Sequence, residues 1–182
     1  GTCFVLNIYY TTGDGFELTQ FSDRYKCEWE DNSNWLKLAF HSCANVPDRP
    51  YQYAPASQLI ADLDKVAEQI HRFAGEQTYS PPTVIHWGML QPESLKALSE
   101  RGVRVLSGSF VSRNGIWDIN YFLDSERSEY LSRHDALKDF DSGIVFSMID
   151  IICNSTSVEN IVPALDPLLK IPVRQTIYYR LC

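Results

Sequence analysis

The stretch after Pro55 constrains the chain most. Ile60, Leu63, Val66, Ile70 and Phe73 recur at steps of three or four, which draws one apolar stripe along a helix that Gly75 stops. Ser57 is its expected cap. Such a stripe has to be covered, and the flanking segments supply the cover. Trp35-Leu36-Lys37-Leu38-Ala39-Phe40 before it and Thr83-Val84-Ile85-His86-Trp87 after it read as strands. Strand, helix and strand in that order predict a parallel βαβ unit.

The same grammar continues. A second helix is expected from Pro92 in its first turn to Arg101, with Gly102 as stop, and Val103-Arg104-Val105-Leu106 returns as a strand. Residues 4–10 read as an opening strand, 119–123 as a strand in a more exposed insert, 144–152 as a buried strand and 158–169 as a helix despite Pro163 and Pro167. Residues 175–182 read as a last strand. The expected class is α/β with mostly parallel strands. At 182 residues the chain suits one domain. Gly1 stands where a start Met is expected, and the last strand stops without a polar tail. The expectation is a single domain over residues 1–182 that lacks flanking elements at both ends.

Composition removes several classes. With 45% hydrophobic and 21% charged residues the chain has the makings of a packed core rather than of disorder. Sixteen Lys and Arg against 23 Asp and Glu leave a net charge of -7, which offers no general positive field to a phosphate backbone, so no nucleic-acid partner is expected. The longest apolar run, 144–153, is broken by Ser147 and Asp150 and falls short of the roughly 20 residues of a membrane span. Five cysteines without a C-x-x-C pair argue against a zinc knuckle and against a disulfide framework.

In parallel α/β folds, ligands gather at the carboxyl ends of the strands. That rule selects His41 and Ser42, then His86 and Trp87, then 107–110 and 150–154. His41 and Asn45 are four apart, which suits a shared metal ion or sugar hydroxyl, and equally suits a loop held by hydrogen bonds. Trp87 offers an apolar face to a sugar ring or to the core. Asp150, inside an apolar strand, has to find a donor or a ligand. His71 reads as a surface residue on the long helix, and the acidic pairs near 133–141 as a solvated loop.

At these residues the chain resembles a family. The run from Trp35-Leu36-Lys37-Leu38-Ala39-Phe40 through His41-Ser42-Cys43-Ala44-Asn45 resembles the second signature of polysaccharide deacetylases of the NodB-homology type, an apolar strand followed by His-Ser/Thr-x-x-His or Asn. Thr83-Val84-Ile85-His86-Trp87-Gly88, with Glu93-Ser94-Leu95-Lys96-Ala97-Leu98 and the strand after Gly102, is similar to the third signature and its following helix and strand.

The resemblance implies an incomplete or distorted (β/α) barrel and metal-dependent removal of acetyl groups from amino sugars. It implies a divalent ion, usually zinc, held by one Asp and two His. On that pattern His41 and Asn45 are the metal residues, His86, Trp87 and Asp150 face the substrate, and the partner is a carbohydrate. The departures are specific. Asn45 stands where a second His is usual, His86 and Trp87 stand where Arg and Pro are usual, and neither an Asp-Asp pair nor a closing Leu-x-His is found. The chain is therefore expected to be the central part of a deacetylase-like enzyme, a relative that binds carbohydrate without cleaving it, or a structural domain.

Overall fold

Aromatic and β-branched residues, Phe4, Val5, Ile8 and Tyr9, favour an extended opening segment. In the computed structural model, which describes residues 3–149, 151–152, 156–168 and 177–178, it forms β1 (Phe4–Tyr9). β1 lies parallel to β2 (Leu36–Ser42), with Leu6 opposite Leu38 and Ile8 opposite Phe40. Between Ile8 and Tyr9 the register shifts, so that Tyr9 faces Ser42 and His41 has no opposite residue. A bulge of this kind re-aims the side chain it carries. The connection between the two strands holds one short helix, α1 (Lys26–Asp31).

The long stripe forms α2 (Ala56–Ala74) and buries Leu59, Leu63, Val66, Ile70 and Phe73. The residue before the helix is Pro55, and no side chain caps it, so Ser57 is a first-turn residue and not the cap. Pro55 removes an amide that would otherwise need a partner. Gly75 ends the helix at φ +84, and a Cβ there would meet the Glu30 carboxylate.

The stretch read as a strand at 83–87 takes another form. Tyr79 bridges Leu38 in parallel, the Ser80 amide donates to the Leu38 carbonyl (2.9 Å), and the Ser107 amide donates to the Thr83 carbonyl (2.7 Å). The segment thus fills the gap between β2 and β3 (Val105–Gly108). Pro81 and Pro82 lack the amides a ladder needs. The chain then makes a single 3-10 turn, His86–Gly88, with Trp87 at φ +61.

The second helix, α3 (Ser94–Glu100), is shorter than the stretch from Pro92 to Arg101. The insert differs more. Its strands are β4 (Val111–Arg113) and β5 (Ile116–Asp118), an antiparallel hairpin turning at Asn114-Gly115, both at positive φ. Residues 119–123 are not a strand, because Ile119, Tyr121 and Phe122 all have positive φ. They pack as a plug: the Tyr121 hydroxyl donates to the Ser107 carbonyl (2.7 Å), and the buried Asn120 amide donates to Leu123 O and Ser128 Oγ.

After α4 (Ser125–Leu131) and β6 (Ala136–Lys138), the apolar run forms β7 (Val145–Met148), parallel to β3 and antiparallel to β6. Then come β8 (Ile151–Ile152), α5 (Val158–Leu168) and β9 (Ile177–Tyr178), with β9 parallel to β8. Asp150 lies outside the described residues. The fold is mixed α/β, and hydrogen bonds join β1, β2, the 79–84 segment, β3 and β7 side by side. Among the described residues, no helix is long and apolar enough to cross a membrane.

Candidate functional site

Three of these neighbours deliver side chains to one rim. Tyr9 ends β1, His41 sits in the bulge near the end of β2, and His86 opens the turn after the 79–84 segment. His41 Nε2 lies 3.1 Å from His86 Nδ1, and the Tyr9 hydroxyl lies 3.0 Å from the same nitrogen. The Tyr9 ring meets both imidazoles edge-on, at 5.1 Å and 5.4 Å between centroids. Asn45 closes the cluster from the loop after β2, its side-chain oxygen accepting from Tyr9 Oη at 3.1 Å. Both imidazoles are buried, whereas Tyr9 is half-buried and Asn45 exposed.

The far side of each ring meets a backbone carbonyl. His41 Nδ1 faces the carbonyl of Val84 at 3.3 Å, and His86 Nε2 faces the carbonyl of Asn45 at 3.3 Å. A carbonyl only accepts, so a hydrogen on either of those nitrogens has an acceptor there. A hydrogen on one of the two facing nitrogens instead closes a hydrogen bond between the rings at 3.1 Å. The Tyr9 hydroxyl has two acceptors within reach, Asn45 Oδ1 at 3.1 Å and His86 Nδ1 at 3.0 Å. Such a cluster of nitrogen and oxygen atoms can share a proton or hold a metal ion.

The remaining residues fall around this cluster. Trp87 follows His86 and is half-buried, with the Arg49 guanidinium 5.6 Å from its ring centroid. Asn7 lies two residues before Tyr9 on the same side of β1, and its buried Oδ1 finds no hydrogen-bond partner among the described residues. Behind His41, the buried Tyr51 hydroxyl accepts from the Cys43 amide (3.0 Å) and donates to Asp62 Oδ2 (3.0 Å), fixing the chain just past the bulge. Burial, then the charge of Asp62, pushes the Cys43 thiol up, which keeps it from serving as a thiolate near neutral pH.

The structure thus brings His41, Asn45 and His86 together and sets Trp87 beside them. Tyr9 is the member that sequence reasoning missed. The available signal was the strand-end rule itself, since Tyr9 closes the opening strand. Among the described residues, no three His, Cys, Asp or Glu side chains stand together as a metal site. A groove of about 300 Å³ lies elsewhere, lined by Lys96, Tyr121, Phe122, Arg127, Asp139 and Ser142 among others. Two of its charged groups serve each other: Asp139 accepts from Ser142 and faces Arg127, and Arg127 also pairs with Asp124. No family model, characterised protein or solved structure matches the chain.

Proposed function

We propose that the chain is a polysaccharide deacetylase-like hydrolase that removes acetyl groups from amino sugars, with His41 and His86 at the centre of its site. One observation carries the reading. Two buried imidazoles from neighbouring chain segments meet nitrogen to nitrogen at 3.1 Å. A tetrahedral zinc ion bound at about 2.0–2.1 Å separates its nitrogen ligands by about 3.3 Å, so the pair suits a divalent ion with little movement. His41 and His86 would hold that ion, which when bound supplies Lewis acidity toward the amide carbonyl.

The chain's own residues supply orientation. The Val84 and Asn45 carbonyls each offer an acceptor to the ring nitrogen that faces away from the other ring, and both rings are buried. Asn45, exposed at the rim, presents an amide to sugar hydroxyls. The Trp87 ring, backed by Arg49, gives a flat apolar surface to a pyranose face.

The test is acetate release from N-acetylglucosamine oligomers by the protein with zinc, with chelator, and as His41→Ala. Release that needs zinc and vanishes in the variant is the expected result. Release that is indifferent to both, or no release with zinc present, overturns the hydrolase. Oligomer binding without release would instead leave the non-cleaving carbohydrate-binding relative.

A further inference from the structure

We infer that the groove between α3, the 119–123 plug and the turn from β6 to β7 is a second saccharide subsite, which takes a neutral ring of the same sugar chain that reaches His41 and His86. The inference rests on the reading above for the class of ligand and not for the place. It deepens that reading by making the substrate an oligomer rather than a single sugar.

The lining selects the ligand. A volume of about 300 Å³ stands at the small end of ligand pockets. Lys96 and Arg127 bring N–H donors to it, Asp139 and Asp141 bring carboxylates, and Leu95 and Phe122 bring apolar surface. A lining of one sign would collect ions of the other, and this one favours neither. It matches a ring of hydroxyls, each of which accepts from an N–H and donates to a carboxylate, while the C–H face of the ring lies on an aromatic.

The polar groups have capacity left for such a ring. Lys96 and Asp141 are exposed and make no hydrogen bond or ion pair within the described residues. Arg127 gives its Nε to Asp124 and holds Nη1 3.7 Å from Asp139, beyond hydrogen-bond reach, so donors of its fork remain open.

Phe122 puts an aromatic face at the mouth. Its backbone is left-handed at φ +57, which an L-residue disfavours, yet its ring stays 36% exposed. The left-handed Tyr121 beside it is held by full burial, and Phe122 is not. Strain kept at an open groove points to a surface that meets a ligand. The Phe122 ring meets that of Tyr53, 78% exposed, at 6.1 Å between centroids. Gln91 steadies the Tyr53 loop by donating to the Gln52 carbonyl.

Backbone joins the groove to the rim. The Tyr121 amide donates to the Gly88 carbonyl at 2.7 Å. That bond keeps the Cα atoms of Phe122 and Trp87 within about 14 Å of each other. An oligosaccharide of a few units spans such a distance, with Trp87 under one ring and Phe122 and Tyr53 under another.

The test is calorimetric titration of the full chain, in chelator, with the dimer and the hexamer of N-acetylglucosamine. The hexamer should bind at least about tenfold tighter than the dimer. Lys96→Ala, Asp141→Ala and Phe122→Ala should each remove about 3- to 10-fold of that gain, whereas His41→Ala should keep it. Lys96 and Asp141 are exposed, so their variants report on the groove even if Phe122→Ala fails to fold. A parent protein that binds no hexamer, one that binds hexamer no tighter than dimer, or a hexamer affinity untouched by the groove variants overturns the subsite. Acetate is read in none of these arms. A groove that binds oligomers while the zinc-loaded protein releases no acetate keeps the subsite and removes the hydrolase. Release with equal kcat/KM from dimer and hexamer, in parent and groove variants alike, does the reverse.

Discussion

His41 Nε2 and His86 Nδ1 are 3.1 Å apart although 45 positions separate the residues in the chain. Each ring also faces a backbone carbonyl on its far side, Val84 O for His41 and Asn45 O for His86, so both ends of each imidazole are engaged. Two groups that serve one ion act as a unit, and their losses do not add. On the proposed hydrolase reading, His41→Ala and His86→Ala should each lower kcat/KM for acetate release by at least about 100-fold. The double variant should be no worse than about threefold below either single one. Full additivity in the kinetic cycle would show two independent roles.

Trp87 combines a strained backbone with a half-buried ring. At φ +61 an L-residue is disfavoured, by about 1–2 kcal/mol, whereas glycine is not. Trp87→Ala keeps the strain and loses the ring. Trp87→Gly loses both. If the ring receives the sugar, the two variants raise KM for oligomers alike, by about 3- to 10-fold, with kcat little changed. Trp87→Gly should be the more stable of the two by about 1 kcal/mol in urea denaturation. Unchanged KM in both would remove Trp87 from the substrate surface.

What was legible in the chain was local. The stripe from Ile60 to Phe73 depends on spacing alone and gives α2 to within a residue at its C-terminal end. The strand at 36–42 reads off its apolar run, and the strand-end rule leads from it to His41. The site's remaining geometry depends on pairings between distant segments. The bulge that re-aims His41 exists only because β1 and β2 slip by one residue, and no pattern within either strand encodes that slip. Thr83 to Trp87 has strand-like composition, yet Pro81 and Pro82 deny it a ladder, and Trp87 turns left-handed. The plug at 119–123 is likewise set by the buried bonds of Asn120 and Tyr121 and not by alternation.

Alkali should loosen the segment behind His41 first. Burial pushes the Tyr51 phenol well above the ordinary tyrosine value, with the nearby Asp62 carboxylate adding to it. Burial raises Tyr79 as well. A phenol that holds its proton more tightly when folded stabilises the fold fully below its unfolded value of about 10, and that stability is lost as pH rises further. The unfolding midpoint in urea should therefore fall above about pH 10. Tyr51→Phe should flatten part of that fall. It should also cost about 1–3 kcal/mol at neutral pH, because the Cys43 amide loses its acceptor. A midpoint that stays level through alkaline pH would refute the assignment.

Tyr121 ties the turn that carries His86 to β3. Its hydroxyl donates to the Ser107 carbonyl at 2.7 Å and accepts from the Ile85 amide at 3.4 Å, while its own amide donates to the Gly88 carbonyl at 2.7 Å. The ring is fully buried against Phe146. Tyr121→Phe keeps the ring and removes the hydroxyl, leaving a buried carbonyl and a buried N–H without this partner. The cost should be about 1–3 kcal/mol in urea denaturation. Because Ile85 immediately precedes His86, the loss should also reach the rim: zinc affinity should drop by about 10-fold, as for the removal of an orienting group around a metal. A variant that loses stability but binds zinc as the parent does would show that the plug supports the core alone and leaves His86 positioned by the carbonyl of Asn45.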